Sequence, residues 1–127
     1  MKLLLDTHII LWARLEPDRL HPRVAAALEE PNNELWFSPV SVWEMLLLAQ
    51  RGRIEVKGDP YKWADRMVAD MNEAVLNRHV AAQSRRADLP HEDPADRFIA
   101  ATAQVYKLQL VTSDSKLQGV SGLKVFR

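Results

Sequence analysis

The sequence predicts an α/β sandwich, in which a parallel sheet is covered by helices. Short apolar segments bounded by turn residues alternate with segments of helical periodicity, and this alternation is typical of parallel sheets. The 127 residues have the length of one domain, so we predict a single domain over 1–127. The content of 47% hydrophobic and 27% charged residues is that of a folded globular domain and argues against disorder.

Two strands and four helices are predicted in the first half of the chain. The strands are short apolar runs, at 3–5 and 35–37. The helices have apolar residues near helical spacing, and they cover 7–13, 21–30, 39–50 and 60–71. Asp6 or Thr7 is suited to cap the first helix, Pro31 ends the second and Gly52 ends the third.

In the second half, the helix at 94–106 has the clearest signal. Asp93 takes its N-cap, Pro94 its first position and Asp96 its third, a combination that marks a helix N-terminus. The remaining predicted elements are a weak strand at 74–76, a helix at 77–87, a strand at 110–112, a capped turn at 113–117 and a closing strand at 123–126.

The composition excludes several classes of protein. Because the chain has no cysteine, disulfide scaffolds, zinc–thiolate sites, iron–sulfur centres and cysteine nucleophiles are excluded, and oxygen or imidazole must hold any metal. The 17 basic and 17 acidic residues balance, which excludes a strongly basic arm but leaves room for a local basic strip. The apolar runs are too short for a membrane helix and no signal-peptide pattern is present. We therefore expect a cytoplasmic protein without membrane association.

Acidic residues lie where predicted strands end and the following helices begin. Asp6 follows the first strand, Glu44 lies in the first turns of the helix after the second, Asp96 opens the 94–106 helix and Asp114 follows the strand at 110–112. A parallel α/β fold brings these points to one sheet edge, so the four acids can converge. Two such charges about 4 Å apart repel by roughly 4 kcal/mol at an effective dielectric near 20. Either some carboxyls are protonated, with raised pKa values, or a divalent cation such as Mg²⁺ or Mn²⁺ neutralises them.

Each of these acids also has a structural explanation. Asp6 is suited to cap the first helix, Asp96 to interact with a helix dipole and Asp114 to start a short turn. Glu44 stands between Trp43 and Met45 in an apolar helix, where an unpaired charge is costly. The coincidence of the four acids at strand exits is what favours a shared site.

Four segments that contain these acids resemble the signature blocks of PIN-domain proteins and, more narrowly, of the VapC-type toxins of bacterial toxin–antitoxin pairs. The segments read LLDTHI at 4–9, SPVSVWE at 38–44, DPADRFIAATA at 93–103 and LVTSD at 110–114. They occur in the family's order and span nearly the whole chain, which makes the resemblance specific.

The resemblance implies a three-layer sandwich with a central five-stranded parallel sheet and a Mg²⁺ or Mn²⁺ site. The family's catalytic and metal-coordinating acids fall on Asp6, Glu44, Asp96 and Asp114. Asp6 and Asp96 would be direct ligands, and the other two would bind directly or through water. The supporting residues of the site are Thr7, Thr112, Ser113 and Arg97.

The activity that the resemblance implies is endoribonucleolytic cleavage of structured RNA, such as transfer or ribosomal RNA, by a metal-activated water. The family also implies a small cognate antitoxin protein that inhibits the enzyme, and a homodimer. The alternative is a catalytically inactive PIN-like module that binds RNA or protein, against which the complete set of four acids argues. A phosphatase of the haloacid-dehalogenase kind would need a second acid two residues after Asp6, where His8 stands.

Other polar and aromatic residues have weaker signals. We expect Arg97 to pair with an acid at the rim of the site or to contact a phosphate, and His8 to pack in the first helix. Most remaining basic residues are expected on solvated faces; they include Arg51, Arg53, Lys57, Arg85 and Arg86. The tryptophans are predicted to lie mostly in the core, although their number, with Leu46, Leu47 and Leu48, suits an apolar face for a partner helix or a second copy. They are Trp12, Trp36, Trp43 and Trp63.

Overall fold

Strands and helices alternate along the chain, as the sequence predicts. The structure is a computed structural model that describes residues 1–86, 88–90 and 92–126. The strands are β1 (Lys2–Leu5), β2 (Glu34–Phe37), β3 (Asn72–Glu73) and β4 (Gln109–Val111). The helices are α1 (Thr7–Leu15), α2 (Pro22–Glu29), α3 (Pro39–Gln50), α4 (Pro60–Val68), α5 (Arg78–Arg86) and α6 (Pro94–Tyr106). Short 3-10 turns occupy Pro17–Arg19 and Ser115–Leu117.

The strands form one parallel sheet in the order β3-β2-β1-β4. In the centre of the sheet, Leu4 of β1 lies opposite Trp36 of β2 on one side and Leu110 of β4 on the other. All pairs are parallel, so the carboxyl ends of the strands share one edge. The predicted α/β class with a parallel sheet is confirmed.

The sheet has four strands in the described part of the chain, so the prediction of five strands is wrong by one. The segment predicted as the closing strand at 123–126 forms a single parallel bridge, between Val125 and Leu110. Its hydrogen bonds run from the Leu110 amide to the Lys124 carbonyl, at 2.8 Å, and from the Phe126 amide to the Leu110 carbonyl, at 2.9 Å. Both bonds involve one residue of β4, whereas a strand needs successive pairs.

The weak strand predicted at 74–76 also lies elsewhere, at Asn72–Glu73. The amide of Ala74 still donates to the carbonyl of Phe37, where β2 ends, at 2.9 Å. Val75 and Leu76 beyond it are exposed. The apolar run therefore has strand-like composition, but β2 offers no further partner to extend the pairing.

Capping residues determine where α3 and α6 begin. The Ser38 hydroxyl accepts from the Val40 amide at 3.1 Å, and an Asp93 carboxylate oxygen accepts from the Ala95 amide at 2.9 Å. Each cap is followed by a proline at the first helical position, where the missing amide hydrogen costs nothing. Both helices have the bounds that the sequence predicts.

Helices cover both faces of the sheet, which gives three layers. Leu4 packs in a core cluster with Ile99 and Ala100 of α6, on one face. Its neighbours Leu3 and Leu5 point to the opposite face, where they pack with residues of α1 to α4. Within the described residues, no helix is long and apolar enough to cross a bilayer.

We expect Leu4→Ala to lower the free energy of unfolding by about 2–5 kcal/mol, because Leu4 is fully buried in the central strand and its loss leaves a cavity. Lys2→Ala, an exposed position of the same strand, is the matched control and should change stability by less than about 0.5 kcal/mol. Urea unfolding followed by circular dichroism measures both. Equal losses in the two variants would contradict the central position of β1.

Candidate active site

Asp6 lies directly after β1, half-buried at the carboxyl edge of the sheet. One of its carboxylate oxygens accepts from the Thr7 amide at 2.6 Å and caps α1. The other accepts from the Thr112 hydroxyl at 2.7 Å, and Thr112 directly follows β4. The predicted capping role of Asp6 is thus confirmed, and its carboxylate is oriented from two neighbouring strands.

The buried hydroxyl of Thr7 connects α1 to α3. It donates to a carboxylate oxygen of Glu44 at 2.5 Å and lies 2.8 Å from the Ser41 hydroxyl. Because a threonine hydroxyl has one proton, the Ser41 hydroxyl must donate to Thr7 when Thr7 donates to Glu44. Sequence reasoning gave Ser41 no role, although its place one turn before Glu44 in the SPVSVWE segment was a usable signal.

The electrostatics of Glu44 bring acids from distant parts of the chain together. Burial is the largest cause that raises the pKa of Glu44, and the negative charges of Asp6, Asp96 and Asp93 raise it further. The hydrogen bond from Thr7 acts in the opposite direction and lowers this pKa. The acids at the β1 exit, in α3 and at the start of α6 are therefore close enough to influence one another, and the cap Asp93 adds to the same negative field.

Asp114 is connected to Asp6 through Thr112. The Thr112 hydroxyl accepts from the Asp114 amide at 3.1 Å while it donates to Asp6. The Asp114 carboxylate accepts from the Lys116 amide at 2.9 Å and caps the Ser115–Leu117 turn, as its structural explanation predicts. Ser113, which lies between Thr112 and Asp114, is exposed.

Arg97 joins α6 to its neighbour α5. Its guanidinium Nε donates to the carbonyl of Ser84 at the end of α5, at 2.9 Å. Asp96 beside it is half-buried in the first turn of α6. Arg97 thus helps to hold the start of α6, and with it Asp96, against α5.

The structure revises the interpretation of two aromatic residues. Trp43 is 59% exposed, so its assignment to the core is wrong; Val40 and Met45 face the core from α3 instead. His8 is exposed, and its ring lies 6.1 Å from that of Trp12. The other tryptophans are half-buried. The basic residues predicted to lie on solvated faces are exposed; they are Arg51, Arg53, Lys57, Arg85 and Arg86.

The donor set suits a hard divalent cation by its chemistry. Its oxygens are carboxylates whose mutual repulsion a cation would relieve, and a carboxylate oxygen that accepts one hydrogen bond keeps a second lone pair for a metal. In the described part of the chain, no three acidic or histidine side chains are already arranged to hold an ion. Binding would therefore require the carboxylates of Asp6, Glu44 and Asp96 to reorient.

The chain matches the model of the PIN domain over residues 3–123. It belongs to the PIN-domain family. A relative in Mycobacterium tuberculosis, Ribonuclease VapC22, is 33% identical over 118 residues, which cover 91% of this chain and 88% of the relative. This relationship confirms the VapC-type membership that the four segments predict.

Solved structures agree with the fold of this VapC-type chain. VapBC2 of Rickettsia felis, bound to a DNA fragment from its promoter, has a TM-score of 0.74 at 17% identity and covers 99% of this chain and 98% of that chain. DNA-bound VapBC of Salmonella typhimurium has a TM-score of 0.69 at 17% identity, with 99% and 97% coverage. At this level of identity the similarity shows a shared fold.

The raised pKa of Glu44 predicts a pH-dependent stability. Because the folded protein binds this proton more tightly than the unfolded chain, its free energy of unfolding falls as pH rises from the ordinary carboxyl pKa through the raised value. Glu44→Gln removes the group that titrates, so this fall in the free energy of unfolding should not occur. The carbonyl oxygen of the new side chain can still accept from Thr7. In EDTA we expect the variant to melt at a higher temperature than the wild type at neutral pH, with a difference that shrinks toward about pH 4.

Differential scanning calorimetry across this pH range measures the effect. Glu55→Gln, at an exposed position, is the matched control, and its melting temperature should follow that of the wild type. A Glu44→Gln variant that melts at or below the wild type at neutral pH without divalent cations would contradict the electrostatic interpretation.

Proposed function

We propose that this VapC-type chain is a divalent-cation-dependent endoribonuclease and acts as the toxin of a toxin–antitoxin pair. The observation that carries the proposal is the electrostatics of Glu44: burial, and then the charges of Asp6 and Asp96 from other elements, raise its pKa. A fold that tolerates this repulsion gains stability when a cation occupies the site. Such clusters serve phosphodiester hydrolysis, which requires charge neutralisation at the phosphate.

In this proposal Asp6 and Asp96 hold the cation directly, and Glu44 and Asp114 hold it directly or through water. Bound Mg²⁺ or Mn²⁺ would make a water more acidic and neutralise charge on the phosphate. Glu44 or Asp114 would orient or deprotonate the attacking water, a role that a carboxylate within hydrogen-bond reach of the water can take. No protein nucleophile is required, consistent with a chain that has no cysteine.

The threonines of the site hold the acids in place. Thr7 fixes Glu44, and Thr112 fixes Asp6 while it also contacts the Asp114 amide. Partners of this kind orient metal ligands and increase metal affinity. Ser113 and Arg97 would support the same region, Ser113 from the exposed rim and Arg97 through its contact with α5.

The comparisons support the proposed substrate class and partner. The relative in M. tuberculosis is named a ribonuclease, and solved relatives are VapBC or toxin–antitoxin complexes. We propose structured RNA, such as transfer or ribosomal RNA, as the substrate in the cytoplasm, and a cognate antitoxin as the inhibitor. The exposed Trp43 on α3 suits an apolar contact with the antitoxin or with a second copy in a homodimer.

We expect Asp6→Asn and Asp96→Asn each to lower the rate of RNA cleavage in Mg²⁺ or Mn²⁺ by more than about 100-fold, because each removes a charge that holds the cation. Asp65→Asn, at an exposed position of α4, should retain wild-type activity. Cleavage of total cellular RNA and calorimetric titration with Mn²⁺ measure the two effects. Equal cleavage by wild type and Asp6→Asn would refute the proposal, and absence of cleavage in both with cation present would favour a catalytically inactive binding module.

We expect Thr7→Val to reduce activity or Mn²⁺ affinity by about 10- to 100-fold, because it keeps the shape of the side chain but removes the hydroxyl that holds Glu44. Thr7→Ser retains this hydroxyl and should restore most of the activity. Thr102→Val is a control for loss of a buried hydroxyl that bonds within α6, to the Phe98 carbonyl. Similar activity losses in the Thr7→Val and Thr102→Val variants would indicate a purely structural role for the Thr7 hydroxyl.

A further inference from the structure

A slot lies between α1 and the end of α3, next to the candidate active site. It has a volume of about 260 Å³ and combines an apolar floor with a polar mouth. The floor includes Leu11, Trp12 and Leu48. The mouth is lined by exposed side chains: His8, Glu16, Arg19 and Arg53.

The slot lies one helical turn beyond the acids along α1 and α3. Trp12 and Leu11 follow His8 and Thr7 by one turn of α1, and Leu48 follows Glu44 by one turn of α3. Thr7 and Glu44 are hydrogen-bonded, and one helical turn, about 5.4 Å along the helix axis, separates each of them from residues that line the slot. An RNA strand whose phosphate lies at the acids would therefore reach the slot with the neighbouring nucleotide.

The lining of the slot combines flat aromatic rings with guanidinium groups. The guanidinium of Arg19 lies 4.5 Å from the centroid of the Trp12 ring, and the His8 ring is tilted 31° to the indole at 6.1 Å. Unpaired bases stack on aromatic rings and on guanidinium planes. Arg53 stands on the α3 side of the slot, so cations from both walls can contact a phosphate.

We propose that this slot binds an unpaired nucleotide next to the scissile phosphate, with its base against Trp12 and its phosphate against Arg19 and Arg53. The inference rests on the proposed ribonuclease function, for which it supplies a substrate-positioning subsite. Charge complementarity favours RNA as the occupant, because the slot has two arginines and one acid: Glu16 pairs with Arg19 at 3.3 Å, and Arg53 leaves a net positive charge in a chain whose own net charge is zero. The acids of the active site repel RNA, so a cationic contact one turn away is needed to hold it.

The test measures binding of a fluorescein-labelled, single-stranded RNA of about eight nucleotides by anisotropy in EDTA, between about 50 and 200 mM salt. Arg53→Gln should weaken binding about five-fold and reduce the slope of log affinity against log salt by about 0.7, because one phosphate contact is lost. Arg19→Gln should behave in the same way. Trp12→Leu should weaken binding about five-fold or more, and Trp12→Phe should retain most of the affinity.

Lys2→Gln is the matched control, because Lys2 is an exposed cation where β1 begins, at the opposite edge of the sheet; its affinity and slope should equal those of the wild type. In cleavage assays with Mn²⁺, the arginine variants should raise KM by about the same factor as Kd, with kcat changed less than about two-fold. Unchanged affinity, slope and KM in both arginine variants would overturn the proposal and favour a protein segment as the occupant. The ribonuclease proposal is tested separately by Asp6→Asn. The loss or retention of RNA cleavage in that variant does not depend on the RNA affinity of the slot variants.

Discussion

Electrostatic repulsion between carboxylates at one sheet edge is the constraint on which the rest of the structure depends. The edge is crowded because β1 is central and its exit, at Asp6, is bordered by the exits of β2 and β4. The start of α6 adds Asp96 and the cap Asp93 to the same field at Glu44. Repulsion between these carboxylates lowers the stability of the fold. Such a cost is typical of a functional site and not of residues that serve stability.

Hydroxyl groups stabilise the carboxylates by hydrogen bonding but do not neutralise their negative charge. Thr7 and Thr112 each donate to a carboxylate, and each hydroxyl also contacts a second polar group, at Ser41 and at the Asp114 amide. Within the described residues, every buried side-chain polar atom has a hydrogen-bond partner, so the site does not add unsatisfied groups to its charge repulsion. The same bonds restrict the side-chain conformations of Asp6 and Glu44.

The accuracy of the sequence-based predictions depends on how local their signals are. The bounds of α3 and α6 were predictable because Ser38 and Asp93, each followed by proline, define helix starts within a few residues. The closing strand and β3 were not, because strand pairing depends on where a distant partner ends. The acids could be placed at one edge from topology alone. The bond from Thr7 to Glu44 joins residues 37 positions apart, and the local pattern around neither residue encodes it.

The charge pattern fits the proposed binding of a polyanion by a chain with zero net charge. The acids concentrate negative potential at the sheet edge, and Arg19 and Arg53 place positive charge at the slot between α1 and the end of α3. Under the proposed function, a phosphate chain would be attracted by the second region and excluded from the first until a cation binds there. Substrate binding and cation binding are therefore expected to be cooperative, because each relieves the unfavourable field that opposes the other.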